Sequence, residues 1–406
     1  MKVVILGAGE SGVGAAMLAK KLGYKVFVSE GRRVHEKFRK ELIDNEIEFE
    51  SGIHSFGIIV HADLVVKSPG IPNSSPVVRF CRRARMEIIP EIEFAHRNCS
   101  GKVVGITGSN GKTTTTALTA HIMREADLDA REGGNIGVSF SRLLTGEPAK
   151  FYVIELSSFQ LEDIVEFHPE VAILLNITPD HLDRYQGRMK KYVDAKFKIL
   201  KNQNGDDHLI CFRGDQNIDQ RLRSIEYPGK IIEVPNDLHI DEWIRINDSL
   251  KIDYSQCDLK GPHNMINAFC ALQAAVLMGA NKGKLQKGLN SFKNFPHRME
   301  KAGLVDGVEY INDSKATNVD ATFNALKSMK RPTVWIAGGT DKGNDYSAIL
   351  EVVREKVKAL VCLGLDNQKI KSAFQDLGIP ILETNQMRTA VQRASEKASR
   401  GDAVLL

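Results

Sequence analysis

After the apolar run Val103–Ile106 the chain reads Thr107-Gly108-Ser109-Asn110-Gly111-Lys112-Thr113-Thr114, then takes up a helical pattern that lasts to Glu125. Residues of these types at this spacing can hold phosphate. Glycines let the backbone curl so that several N–H groups converge on one anion, and a helix start adds partial positive charge. Lys112 can reach the outer phosphates of a nucleoside triphosphate, and the Thr113 hydroxyl can ligate Mg²⁺. The strict form of such a loop would have glycine at 106, where this chain has Ile106; Gly108 stands inside the loop instead. The motif therefore reads as a compact variant. A glycine turn beside a surface lysine is the competing account, and the strand–loop–helix setting weighs against it.

A second glycine loop, Gly7-Ala8-Gly9-Glu10-Ser11-Gly12, follows the first strand and opens a helix, and Glu30 ends the next strand, 18 residues beyond Gly12. This is a G-x-G-x-x-G pattern with its acidic residue near the expected place. Alone it leaves NAD or FAD, another diphosphate, or simple close packing of a helix on a sheet all open.

Further candidates follow strands. Phe151–Ile154 runs into Glu155 and then Leu156-Ser157-Ser158-Phe159-Gln160. A carboxylate at a strand end beside a phosphate loop is where Mg²⁺ needs a ligand, although an ordinary strand-end acid looks the same. Val171–Leu175 leads to Asn176-Ile177-Thr178-Pro179-Asp180-His181-Leu182-Asp183-Arg184-Tyr185. There His181 could be a base, a metal ligand or a helix-start residue capped by Asp180; Mg²⁺ prefers oxygen, and the last reading is favoured. Lys196 reads as a solvated lysine on a basic helix. Asn264 and Asn267 share one face of a helix over His263–Met278. They could read a base edge or hold a phosphate, and capping by Asn264 is the simpler account. Arg298 suits a phosphate clamp or a structural salt bridge. Asn312–Asn318 and Gly338–Asp345 each follow a strand, as site loops do in α/β sheets, and Lys342 could pair with an anionic substrate group.

The elements that must position these groups are short β-branched runs alternating with amphipathic helical patterns. The fold class is α/β with mostly parallel strands. A length of 406 residues suits two or three domains, at about 150 residues each. Three blocks are expected, 1–93, 94–296 and 297–406. The second strand–loop–helix unit needs a sheet of its own, hence a boundary near Phe94, and Pro296 punctuates the chain after the helical segment Lys284–Phe292. The third block opens with a hairpin, Ala302–Val305 and Val308–Ile311, turned by Asp306-Gly307, and continues with strands at Thr333–Ala337, Ala359–Leu363 and Ala403–Leu406. The chain stops at Leu406 inside an apolar run that reads as a buried strand; termini are normally exposed, so a natural tail beyond it is expected. A net charge of +4 argues against a dedicated nucleic-acid or membrane-surface protein. Six scattered cysteines, with no C-x-x-C, argue against a disulfide framework or zinc knuckle and for a reducing cytoplasm. No signal peptide or membrane-spanning run is evident, so a soluble protein is expected.

In order along the chain, Gly108–Thr114, Glu155 with Ser157-Ser158-Phe159-Gln160, Asp180–Tyr185, His263-Asn264, His297-Arg298 and Asp313-Ser314-Lys315-Ala316-Thr317-Asn318 resemble the Mur ligases of peptidoglycan synthesis. The resemblance spans essentially the whole chain, and Glu155–Gln160 and Asn312–Asn318 look like the D-glutamate-adding members. It implies three domains: a Rossmann-like N-terminal domain, a central P-loop ATP-binding α/β domain, and a Rossmann-like C-terminal domain cut short at its end. It implies an amide-forming ligase that uses ATP and Mg²⁺ to add D-glutamate to UDP-N-acetylmuramoyl-L-alanine through an acyl phosphate, as a cytoplasmic monomer. Closure of the third domain would accompany the chemistry.

The same resemblance reassigns residues. Gly9, Glu10, Ser11, Glu30, Arg32 and Ser68-Pro69-Gly70 match positions that hold the UDP part of the substrate, in place of NAD. Asn135 and Ser157 match substrate-binding positions. Thr113, Glu155, His181 and Lys196 match the Mg²⁺ site, with Lys196 carbamylated by CO₂; that turns a cation into an oxygen ligand, which suits Mg²⁺. The loop Gly108, Ser109, Asn110, Gly111, Lys112, Thr113 and Thr114, with Asn264, Asn267, Arg298 and Asp313, matches the ATP contacts. Lys315, Thr317 and Lys342 match positions near the reacting groups and D-glutamate. In the family a serine- and phenylalanine-containing segment that helps bind D-glutamate follows the last Val-Leu-Leu strand, in keeping with the expected tail. Another amino-acid ligase of the family, an NAD-dependent oxidoreductase read from Gly7–Gly12, and a nucleotide-binding module without catalysis are the alternatives.

Overall fold

Five short runs, mostly β-branched, form the first sheet: β1 (Lys2–Leu6), β2 (Lys25–Glu30), β3 (Glu48–Ser51), β4 (Leu64–Lys67) and β5 (Ile88–Pro90). They are parallel in the order β3-β2-β1-β4-β5. The structure, a computed structural model, describes residues 1–238, 242–259, 261–339 and 344–406. Strand order reverses between β1 and β4, and ligands of open parallel sheets bind beyond the strand ends at such a point. There Gly7, at φ +97°, lies so close to β4 that a Cβ would stand 2.7 Å from Ser68 Oγ. Only glycine combines that conformation with that approach.

The second sheet holds β6 (Lys102–Thr107), β7 (Ala130–Gly134), β8 (Phe151–Glu155), β9 (Val171–Leu174), β10 (His208–Cys211) and β11 (Lys230–Glu233). Its order is β11-β10-β9-β6-β8-β7, parallel throughout. The helices Lys112–Glu125 and Pro262–Leu277 share a core through Leu118, Ile122, Ala268 and Leu272, all fully buried. A hairpin of β12 (Trp243–Asn247) and β13 (Leu250–Asp253) adds Ile244 and Ile252 to that core.

Between the two sheets runs the helix Glu91–Arg97, and the expected boundary residue Phe94 lies within it, buried. Two of its carboxylates are also buried. Glu93 accepts hydrogen bonds from the backbone N–H groups of Val165, Glu166 and Phe167. Glu91 accepts one from Ser141 N at 2.7 Å, and its Oε2 has no protein partner. Burial pushes the Glu91 carboxyl up to about 7 against the opposing Ser141 hydrogen bonds, with Glu10 adding to the rise. A carboxyl raised above its unfolded value of 4.5 contributes stability fully present below that value and lost as pH rises through about 7. The loss attributable to this group is on the order of 3 kcal/mol. Glu91→Gln, which keeps the uncharged shape, is expected to flatten unfolding stability between those pH values in urea titrations. An unaltered pH profile in the variant would show that another group carries the dependence.

These two sheets form one contact unit, Met1–Ile177 with Arg188–Phe292; Thr178–Gly187 with Lys293–Leu406 form another. In the second unit β14 (Glu300–Val305) and β15 (Val308–Asn312) make the expected antiparallel hairpin. Its turn residues Asp306 and Gly307 have φ of +52° and +80°, the conformation that Asp-Gly favours. With β16 (Thr333–Gly338), β17 (Val357–Leu363), β18 (Ile381–Thr384) and β19 (Ala403–Leu405) the order is β14-β15-β19-β16-β17-β18. All pairs beyond the hairpin are parallel. No helix among the described residues is long and apolar enough to cross a membrane.

Candidate active site

The loop after β6 opens between the ends of β8 and β9, its two neighbours in the sheet. Asn176, just past β9, fixes it: Ser109 N donates to the Asn176 carbonyl at 2.8 Å, and Asn110 N to Asn176 Oδ1 at 2.8 Å. Ser109 Oγ pairs with Tyr192 OH at 3.0 Å. Gly111 enters the helix at φ +83°, where a Cβ would come within 2.6 Å of Asn267 Oδ1. Asn267 and Asn264 are buried and bonded to each other at 3.0 Å. Capping by Asn264 is overturned: the helix starts from Gly261 at φ +93° with Pro262 next, and no side chain caps it. A glycine–proline entry makes a side-chain cap unnecessary, and Asn267 stands against the phosphate loop at Gly111.

Two cations converge on one carbonyl oxygen. Gly108 O accepts from Lys112 Nζ at 2.8 Å and from Lys196 Nζ at 2.6 Å, and Lys112 also donates to Ser109 O at 2.8 Å. Lys196 is 1% exposed, with its ammonium 4.7 Å above the Tyr192 ring. The solvated-lysine reading is thus corrected. On the helix Met189–Phe197 the buried residues are Tyr192, Val193, Ala195, Lys196 and Phe197, so Lys196 stands four residues from Tyr192 on the inward face.

Glu155 is 2% exposed at the end of β8. Its Oε2 accepts from Thr113 Oγ1 at 2.8 Å and its Oε1 from Asn135 Nδ2 at 2.9 Å. Strand end, loop and Gly134-Asn135 thereby meet in one polar cluster at the loop whose Gly108 carbonyl holds Lys112 and Lys196. Ser157 caps the one-turn helix Ser158–Leu161 in a reciprocal capping box with Gln160. That fixes the Gln160 oxygen and leaves its buried Nε2 without a protein partner, a state that costs about 1–3 kcal/mol until an acceptor arrives. Sequence reading quoted Gln160 only as part of a motif and did not single out Asn176 or Tyr192; strand-end position and helical spacing were the signals for these two.

In the first sheet, Glu30 Oε2 accepts from Ala8 N and Oε1 from Arg32 N, both at 2.9 Å, so the acid braces the glycine loop. Gly9 is the residue before the helix Glu10–Lys21, Ser11 is half-buried in it, and Arg32 and Gly70 are exposed. Ser68 Oγ, beside the loop, is buried without a protein partner. Glu10 is engaged by Arg142 Nε at 2.6 Å.

In the second unit, His181 lies in a turn at φ +53°, with Nε2 3.6 Å from Asp180. The helix start expected there is absent; the next helix begins at Met189. Asp313 Oδ1 accepts from Met299 N at 3.0 Å. Burial pushes the Asp313 carboxyl up to about 6, opposed by that N–H and by the charge of Arg298. Asp313, Thr317, Asn318, Trp335 and Tyr346 line a cavity of about 450 Å³. Lys315 and Thr317 are exposed, and Lys342 lies outside the described residues.

Three family models match the chain: "Mur ligase MurD-like, N-terminal domain" over residues 1–90, "Mur ligase middle domain" over 106–275, and "Mur ligase, glutamate ligase domain" over 297–406. The chain belongs to the Mur ligase family. This Mur ligase is 44% identical over 415 residues to the UDP-N-acetylmuramoylalanine--D-glutamate ligase of Christiangramia forsetii, covering 100% of this chain and 93% of that protein. It is 45% identical over 420 residues to the Cytophaga hutchinsonii protein of the same name, with the same two shares. Among solved structures, UDP-N-acetylmuramate-alanine ligase of Thermotoga maritima aligns with a TM-score of 0.64 at 19% identity, over 100% of this chain and 95% of that one. A pseudomurein peptide ligase type C of Methanothermus fervidus gives 0.63 at 19%, over 100% and 96%. At that identity the two structures speak for the fold alone: Mur ligase α/β architecture throughout.

Proposed function

We propose that this Mur ligase uses ATP to join D-glutamate to UDP-N-acetylmuramoyl-L-alanine. The observation that carries the reading is the phosphate loop with Lys112 and Lys196 on one carbonyl and Glu155 held against Thr113. Relatives that bear the name of this reaction at 44% and 45% identity support the choice of substrates. The loop N–H groups and Lys112 hold the ATP phosphates and offset charge as the γ-phosphoryl group moves to the L-alanine carboxylate. ADP leaves, and the product is an acyl phosphate. The D-glutamate amine attacks its carbonyl carbon, the new N–C bond forms, the amine loses a proton, and phosphate departs.

Glu155 and Thr113 present two oxygen donors 2.8 Å apart at the loop, the ligand chemistry Mg²⁺ takes. Bound there, Mg²⁺ would neutralise phosphate charge. His181 and a carbamylated Lys196 are proposed as its further ligands. Asn264, Asn267, Arg298 and Asp313 are assigned to ATP, and Lys315, Thr317 and Lys342 to D-glutamate and the reacting groups. The unpartnered Ser68 hydroxyl and the Glu30 brace support the first glycine loop as the seat of UDP, with Asn135 and Ser157 toward the acyl end. A reducing, cytoplasmic location is in keeping with the six free cysteines, and the monomer is proposed from the family resemblance alone.

Phosphate release measured with ATP, Mg²⁺, UDP-N-acetylmuramoyl-L-alanine and a panel of amino acids tests the reading. D-glutamate is expected to trigger release. Release with another amino acid and none with D-glutamate would overturn the substrate choice.

A further inference from the structure

β4 reads Leu64-Val65-Val66-Lys67, and all four residues are buried, Lys67 to 1% exposure. A buried lysine is uncommon and demands partners. Lys67 Nζ donates to Asp163 Oδ2 at 2.7 Å, to Asn73 Oδ1 at 3.0 Å and to the Ile71 carbonyl at 3.3 Å. These acceptors match the three ammonium protons. Asp163 uses its other oxygen to accept from Asn73 Nδ2 at 3.0 Å, and the Arg82 guanidinium stands 3.5 Å away.

The contacts have a particular address. Between Lys67 and Ile71 lies the turn Ser68-Pro69-Gly70, closed by Ile71 N on Ser68 O at 3.1 Å. Its first residue bonds to the end of β1, Ser68 N to Leu6 O at 3.0 Å, and its hydroxyl lies against Gly7. Lys67 contributes one limb of this turn through its backbone and grips the other, Ile71 and Asn73, through its ammonium. Asp163 reaches the pair from the second sheet's side. It closely follows the helix Ser158–Leu161, whose cap Ser157 stands two residues after Glu155. Among the described residues, neither Lys67 nor Asp163 bonds to the loop Gly108–Thr114. The ion pair thus ties the turn assigned to the UDP end of the substrate to the segment that carries Glu155.

We propose that Lys67 and Asp163 are a positioning pair, which fixes the Ser68–Gly70 turn against the second sheet and so sets where the uridine nucleotide half of the substrate is held. This rests on the functional reading given above. Neither residue is catalytic. The pair acts on the affinity for the UDP-linked substrate and leaves that for ATP alone.

The double variant Lys67→Met with Asp163→Leu tests this, because an apolar pair of similar volume replaces a buried ion pair with little harm to the fold while the grip on Ile71 and Asn73 is lost. Calorimetry is expected to show the Kd for UDP-N-acetylmuramoyl-L-alanine weakened about tenfold or more, with Kd for ATP and kcat at saturation moved less than about twofold. Asp163→Asn, which keeps an oxygen and removes the charge, is expected to show a smaller shift of the same kind, and it carries the test if the double variant does not fold. Unchanged affinity for the UDP-linked substrate in a folded variant overturns the pair, as does equal weakening for ATP. A wild-type protein that fails to bind the UDP-linked substrate would overturn the functional reading and the pair together. Wild-type binding with unmoved variants sinks the pair alone.

Discussion

Lys112→Met is expected to lower D-glutamate-dependent phosphate release by about 10²–10³-fold while leaving the melting temperature close to that of the wild type. Methionine keeps much of the unbranched stem and removes the charge. The lysine head donates to Gly108 O and Ser109 O, and Lys196 remains on Gly108 O when it is gone. The loop itself is held by other groups, Asn176 on Ser109 and Asn110 and Tyr192 on Ser109 Oγ. Stability should therefore barely register the change. Catalysis should, because a preorganised cation counts most where phosphoryl charge shifts and water is excluded. The measurements are kcat from phosphate release and Kd for ATP. A variant that retains activity within about fivefold would remove Lys112 from the chemistry and leave the loop as a scaffold.

The phosphate loop was legible because its chemistry is local: consecutive residues supply the turn, the N–H groups, the lysine and the helix start. The hairpin turned at Asp306-Gly307 was legible for a similar reason, since those residue types select the backbone found there. The β12–β13 hairpin went unread although Trp243–Asn247 alternates exposed and buried residues, the period of a half-buried strand. Its turn at Asp248-Ser249 lacks the glycine that marks such loops. The burial of Lys196 and Lys67 was hidden by residue type. Both stand where the pattern calls for an apolar residue, one on the inward face of a helix and one at the end of a Leu-Val-Val strand. What makes burial tolerable, Gly108 O for one and Asp163 for the other, is distant in sequence. Asn264 failed in the opposite sense: its type favours a cap, but Gly261 and Pro262 already supply the entry to the helix.

Glu93→Ala is expected to destabilise the first contact unit by about 3–5 kcal/mol. Glu93 is fully buried, with Oε2 accepting from Val165 N and Phe167 N and Oε1 from Glu166 N, each at 2.9 Å, and Arg97 Nε approaches Oε1 at 3.2 Å. Alanine would leave three backbone N–H groups and a guanidinium facing a void. Each buried donor without an acceptor costs about 1–3 kcal/mol, and partial rearrangement around water keeps the sum below simple addition. Glutamine is expected to rescue only in part, because one of its two terminal groups is itself a donor and must face an N–H. Glu166→Gln serves as the control: that carboxylate is 69% exposed and stands 3.9 Å from the same Arg97, so its removal should change stability by less than about 0.5 kcal/mol. Urea unfolding gives the magnitudes, and hydrogen exchange at Val165, Glu166 and Phe167 gives the location. Those three amides should lose protection in Glu93→Ala before amides of the β6 and β8 strands do. Equal losses in the two variants, or protection that persists at all three amides, would mean that apolar packing around Phe94 and Phe167 fastens the joining helix to the second sheet, and that the carboxylate clamp adds little.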